Sequence, residues 1–132
     1  MNTLSKILEN QIKSVEREIP RLVTTVANTS VDFFKQNFNK SGFDDDTVLK
    51  WRKRKRQYKH PILWKTGRLR RSIRVFRKTS TEAYLLSDLE YSAVHNYGSE
   101  RMPQRKFIGV SSNLNKKVVK IITDRINRRL GV

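Results

Sequence analysis

Residues 62–87, "ILWKTGRLRRSIRVFRKTSTEAYLLS", decide the fold. Thr66 can cap a short turn of helix, with Leu63, Leu69 and Ile73 directed inward. The stretch "SIRVFRK" then sets Ile73 and Val75 against Arg74, Phe76 and Lys78, and "EAYLLS" sets Tyr84 and Leu86 opposite Ala83 and Leu85. Both read as strands, and the polar "TSTE" between them suits a hairpin turn. A helical turn feeding an antiparallel pair predicts an α+β fold.

Upstream, residues 3–38 read as helix. Leu4, Ile7, Leu8, Ile12, Val15, Ile19, Leu22, Val23, Val26, Phe33 and Phe34 keep mostly to three- or four-residue steps and make one apolar stripe. Glu9, Lys13, Glu16 and Arg17 fall on the wet side. Pro20 lacks an N–H and crowds the preceding turn, so a kink or a break into two helices is expected there. The rest of the domain can cover only part of so long a stripe, which leaves the remainder for another subunit. Residues 39–48, "NKSGFDDDTV", read as loop. A basic run follows to Pro61, and the whole of 39–62 is expected to be a mobile basic loop because like charges repel and no apolar period survives.

Downstream, "YSAVHNYG" reads as a short helix ended by Gly98. After Pro103, "KFIGV" is expected to add a third strand. Ser111, Ser112 or Asn113 can cap a last helix, whose Leu114, Val118, Ile121, Ile122, Ile126 and Leu130 form a stripe. Its outer face carries Lys116, Lys117, Lys120, Arg128 and Arg129. The architecture expected is one domain over residues 1–132: a long N-terminal helix, a small antiparallel sheet and a C-terminal helix.

The chain has 132 residues, 36% of them hydrophobic and 31% charged, with a formal net charge of +17. That charge predicts an anionic partner, whether nucleic acid, an acidic protein surface or a headgroup layer. Fourteen Lys and Arg lie between Lys50 and Lys78 without one acid, more than solubility requires. Cysteine is absent, which excludes a disulfide framework and a thiolate zinc site and fits assembly in a reducing cytoplasm. No apolar run is long enough to span a bilayer, and the first residues do not read as a secretory signal, so a soluble protein made in the cytoplasm is expected.

Little in the sequence suggests catalysis. Only His60 and His95 could supply an imidazole base. His60 lies in the basic loop. His95 shares a helical face with Ser92 or Tyr91, and the plain reading is a partly buried ring beside Tyr91 and Tyr97. The alternative is a small basic ribonuclease of toxin type, with His95 as base and Arg101 or Arg105 on phosphate. Asp44, Asp45 and Asp46 read as solvated loop acids rather than a Mg²⁺ site, since no second acidic cluster supports them. Trp51, Tyr58 and Trp64, set among cations, could stack on bases, which keeps a non-specific nucleic-acid binder open. No helix-turn-helix, zinc finger or RNP signature accompanies them. A cationic loop can equally order against an acidic protein.

Four elements, in order over residues 49–130, resemble the phage virion morphogenesis, or tail completion, proteins of Mu-like and related tailed phages. "LKWRKRK" resembles that family's Trp followed by basic residues. "ILWKTGRLRRSI" resembles its apolar pair, Thr-Gly, alternating Arg/Leu stretch and Ser-Ile. "YSAVHNYGSE" is similar to its Tyr-x-Ala-x-His-x-aromatic-Gly element, and "MPQRKFIGVSS" to its Pro-x-Arg-x-Phe-Leu-Gly-Leu-Ser segment. Lys106 stands where a second proline is common, and the loop at 52–60 is shorter than many. The scaffold residues matched are Trp51, Thr66, Gly67, Leu69, Ser72, Ile73, Tyr91, Ala93, His95, Gly98, Pro103, Arg105, Phe107 and Gly109. Gly67 would permit a tight turn. Tyr91, Ala93, Val94 and Tyr97 would pack the short helix under the sheet, and Arg105 and Phe107 would anchor the last strand.

The resemblance implies a structural virion protein without enzymatic activity, cofactor, metal or small-molecule substrate, acting in tail completion and head–tail joining. It implies assembly in the bacterial host cytoplasm, incorporation in the virion, and a ring-forming homo-oligomer. Partners would be tail or head–tail connector proteins, with non-specific DNA contact open and no membrane. The expected partner-binding residues are Lys50, Arg52, Lys53, Arg54, Lys55, Arg56, Arg68, Arg70, Arg71, Lys116, Lys117 and Lys120.

Overall fold

The computed structural model describes residues 3–56, 59–64 and 66–132. Helix α1 (Thr3–Lys40) leads into the antiparallel pair β1 (Gly42–Asp44) and β2 (Val48–Lys50). After the basic run come α2 (Arg68–Arg71), the antiparallel pair β3 (Ile73–Lys78) and β4 (Ala83–Ser87), α3 (Ser92–Tyr97) and α4 (Ser112–Leu130). The α+β class, the long first helix and the closing helix stand as expected. The strands make two separate two-stranded sheets.

Helix α1 continues as one helix through Pro20, so of the kink or break expected there the break into two helices does not occur. Pro20 is exposed, and the carbonyl it leaves without a donor belongs to Glu16, also exposed, so water can satisfy it. The second half of α1 is anchored by Phe33, Phe34 and Phe38. Phe38 is fully buried and meets Trp51 edge-on at 5.5 Å between centroids and Phe107 at 5.4 Å. Leu69, Ile73 and Leu114 close the same core, so α2, β3 and α4 dock on one aromatic face of α1.

Residues 42–50 pair as a hairpin rather than a loop. Phe43 is buried, which holds the polar segment against the core. A Cβ on Gly42 would lie 2.7 Å from the Leu49 carbonyl oxygen, so only glycine allows the two strands this close. Two of the three aspartates also depart from the solvated reading, while Asp46 stays exposed. Asp44 is buried, ion-paired to Lys40, and accepts from Asn113 Nδ2 at 2.7 Å. Burial alone would raise its pKa, yet the bonds from Lys40 and Asn113 hold it below the ordinary carboxylate value. Asp45 Oδ1 accepts from the Ser112 N–H at 2.9 Å, and Ser111 Oγ accepts from the Leu114 N–H at 3.1 Å. Ser111 is thus the cap of α4, and the aspartates receive donors at its start.

No strand forms at "KFIGV". Side-chain amides and an indole take the backbone groups a ladder would have used. Asn37 Nδ2 donates to the Phe107 carbonyl at 2.9 Å, and Trp51 Nε1 to the Lys106 carbonyl at 2.8 Å. Asn96 Oδ1 accepts from the N–H groups of Phe107 at 2.8 Å and Ile108 at 3.0 Å. Phe107 is still anchored in the core, as expected, but by side chains rather than by strand pairing.

Helix α4 lies on α1 with Glu18 between them, 3% exposed. Its carboxylate accepts from Arg125 Nη1 at 2.7 Å and Arg129 Nε at 2.8 Å. Arg129 therefore faces α1, not the outer face to which the helical spacing assigned it. The hydrogen bonds from Arg125 and Arg129 hold the Glu18 carboxyl below its ordinary value of 4.5. The unfolded chain then takes up that proton more readily than the folded one, so the contribution is present above 4.5 and is lost as pH falls through the lowered folded value. In thermal melts, Glu18→Gln should melt below the parent near neutral pH. The difference should close in acid; a gap that persists there would show that packing, not the ion pair, carries the effect.

Candidate functional site

The structure divides the cationic segment into residues that build the fold and residues whose side chains are exposed. Trp51 is buried, and Trp64, half-buried, donates from Nε1 to the Phe38 carbonyl at 2.8 Å. Both indoles belong to the framework, so neither is a free stacking platform; Tyr58 lies outside the described residues. Lys50 Nζ reaches the Lys40 carbonyl at 2.6 Å and so satisfies the C-terminus of α1. The Arg70 guanidinium lies 5.1 Å from the Trp64 ring centroid and its Nε donates to the Lys35 carbonyl at 3.4 Å. Arg71 donates to the Thr66 carbonyl at 3.0 Å, closing the turn that Gly67 opens at φ +68°. Thr66 Oγ1 accepts from the Arg68 N–H at 3.3 Å, and Ser72 Oγ meets Ser87 Oγ at 2.5 Å. Arg68 itself is exposed.

Arg105 is buried, and its Nε and Nη2 donate to the Arg52 carbonyl at 3.1 and 2.9 Å. Arg54 donates to the His60 carbonyl at 2.7 Å. These two arginines shape the basic run so that the side chains of Arg52, Lys53, Lys55 and Arg56 border a cleft of about 1150 Å³. Arg68 and Arg101 border it as well. Its floor holds Ile62, Leu63 and Leu69, and its far side the turn at Met102 and Pro103. Glu100 is the one acid among the described residues lining it. Arg105 is displaced below its ordinary value by burial and by the charges of Arg54 and Arg52, the mark of crowded like charge.

His95 lies at the side of this cleft, partly buried, with the Tyr91 ring edge-on at 5.9 Å. Burial, then the Arg105 charge, lowers its pKa from 6.5, so the ring is neutral at physiological pH. Its Nδ1 is buried without a hydrogen-bond partner among the described residues. Helix α3 presents the opposite face from the one expected. Tyr91, Ala93, Val94 and Tyr97 are exposed, Tyr97 at 74%, while Ser92 and Asn96 are buried. The polar pair turns inward because it has backbone to satisfy: Ser92 Oγ donates to the Leu89 carbonyl at 2.7 Å, and Asn96 clamps residues 107–108. Gly98 ends the helix at φ +78°, against the Gln104 backbone.

The α4 lysines lie apart from this cleft, bordering a second hollow of about 550 Å³ with Asp44. They are partly neutralised: Lys120 pairs with Asp124 at 3.1 Å, Lys116 with Asp46 at 3.9 Å, and Lys117 sits 5.9 Å from the Phe33 ring centroid. Among the described residues, no group of three or more His, Cys, Asp or Glu could hold a metal, and no helix is long and apolar enough to cross a membrane. Asn37, Asn96 and Glu18 escaped the sequence reading. A signal existed for Asn37, a polar residue on the apolar stripe four after Phe33, and for Asn96, an amide in the interior of a helix.

No curated protein and no solved structure matches this chain. Residues 14–127 match the phage virion morphogenesis family, a span that takes in the second half of α1, the aromatic core, the cleft and most of α4. With that match over most of its length, the chain belongs to the phage virion morphogenesis family.

Proposed function

We propose that this protein completes the phage tail at the end that joins the head, acting as a ring-forming structural subunit rather than by catalysis. Family membership supports a role in virion assembly and contact with other virion proteins. The observation that carries the finer reading is the start of α1. Every residue from Thr3 to Lys13 is exposed, on all sides of the helix, including Leu4, Ile7, Leu8 and Ile12. A helix that holds an apolar stripe clear of its own core is suited to a neighbouring subunit. The exposed cations would face acidic surfaces of tail or connector proteins, and a ring would multiply each weak contact. Assembly would take place in the host cytoplasm, ending in the virion.

Arg68 and Arg70 divide on this reading. Arg68 is exposed and open to a partner, whereas Arg70 is tied to Trp64 and Lys35. The test has two parts. Light scattering on the purified protein at low and moderate salt is expected to give a discrete oligomer, and supplying the gene in trans to a phage lacking it should restore joined, infectious particles. Normal tails and joined heads without the protein would overturn the proposal. So would RNA degradation by the purified protein that disappears in His95→Ala.

A further inference from the structure

The cleft between the basic run and the 99–105 turn carries a more specific assignment. Among the described residues, Arg52, Lys53, Lys55, Arg56 and Arg101 form no ion pair, although the chain pairs other cations on α1, β3 and α4. A concave surface lined mainly by cations, with Glu100 the one acid among its described lining residues, focuses a positive field, so the occupant is anionic. The floor beneath that charge is aliphatic, made by Ile62, Leu63 and Leu69. A bare phosphate or carboxylate would leave such a floor wet.

Nucleic acid fits this combination poorly. Single strands are held by stacking bases on flat rings, and both tryptophans of the segment have their indole N–H groups committed to backbone carbonyls. Of the rings that border the cleft among the described residues, Tyr91 and His95 stand edge-on to each other, and the third, His60, has its Nδ1 2.9 Å from the Pro61 carbonyl. A polypeptide that alternates acidic and aliphatic side chains fits better, because it presents carboxylates to the rim and methyl groups to the floor.

We infer that this cleft is the docking site for an extended acidic segment of a partner protein, with an aliphatic side chain of that segment seated on Ile62 and Leu63. The assignment rests on the assembly reading above and names the surface through which it works. The guanidiniums supply paired donors for carboxylates, and the floor supplies the selectivity that charge alone lacks.

The test uses the full chain and three labelled probes of equal net charge: a peptide alternating Glu and Leu, a peptide alternating Glu and Ser, and single-stranded oligothymidylate. By fluorescence anisotropy, the Glu–Leu peptide should bind about tenfold more tightly than either other probe, the factor expected for burying a leucine side chain. The double variant Arg56→Glu/Arg101→Glu should lose at least about tenfold, since the rim charges act at close range. Lys116→Glu/Arg128→Glu, with the same change in net charge on α4, should lose far less. Equal binding of all probes, or equal losses in both variants, would reduce the cleft to part of a diffuse charge and overturn the inference. Tighter binding of the oligothymidylate would assign it to nucleic acid instead. Peptide binding that fails while the gene still restores infectious particles removes the cleft and leaves tail completion standing. Failure of that restoration overturns tail completion itself, whatever the peptides do.

Discussion

Replacing Asn96 with leucine is expected to lower stability by about 3–5 kcal/mol, a large share of the 5–15 kcal/mol that holds a domain of this kind together. Asn96 is 7% exposed, and its side chain makes three bonds to one segment. Its Oδ1 accepts from the Phe107 and Ile108 N–H groups, and its Nδ2 donates to the Ile108 carbonyl at 3.1 Å. Leucine has similar bulk and no polar atom, so it would leave all three backbone groups unpaired at the edge of the core, each worth about 1–3 kcal/mol when buried. The upper end is reduced because Ile108 is only half-buried. Asn96→Asp keeps both acceptor bonds but sets a carboxylate oxygen against the Ile108 carbonyl in a buried site, so it too should destabilise, by at least about 1–3 kcal/mol. Urea titration followed by tryptophan fluorescence would measure both, since Trp51 bonds the adjoining Lys106 carbonyl. A loss below about 1 kcal/mol for the leucine variant would mean that water replaces the amide, and the clamp account would fail.

That clamp also shows what could be read from the sequence and what could not. Local patterns carried the helices, the β3–β4 hairpin, a cap among Ser111, Ser112 and Asn113, and the glycine that ends α3. Each depends on residues within a few positions of one another. "KFIGV" failed because its composition suits a strand while its partners are amides at positions 37 and 96 and an indole at position 51. The face of α3 was inverted for the same reason: apolar residues were assigned inward, but Ser92 and Asn96 had nearby backbone to satisfy and the aromatics did not. Pro20 was expected to kink α1 or split it in two, and no split occurs because the exposed side of a long helix can leave one carbonyl to water. The cations were plain in the composition. Which of them are committed was not, because Arg105 bonds residue 52, Arg70 bonds residue 35 and Arg129 bonds residue 18, all far away in sequence.

Changing Leu8 and Ile12 together to lysine should abolish assembly while leaving the fold intact. The two residues are one turn apart on the same face of α1, 50% and 59% exposed, in a segment where no residue is covered by the rest of the chain. Folding therefore gains little from them, and the urea midpoint should stay within error of the parent. Burying each at a subunit contact would contribute about 1.5–3 kcal/mol, so losing both weakens association by roughly a hundred- to ten-thousandfold. The added lysines also raise the repulsion between chains that already carry a net charge of +17. Light scattering should then report a smaller species, and the variant gene should fail to restore infectious particles to a phage lacking the protein. Leu8→Ile/Ile12→Leu keeps the apolar area and should retain both activities, which separates loss of the stripe from mere alteration of it. If the lysine variant assembles like the parent, this stripe is not the subunit contact. The exposed tyrosine face of α3 then becomes the apolar surface to test, because Tyr91, Val94 and Tyr97 are also uncovered by the chain's own core.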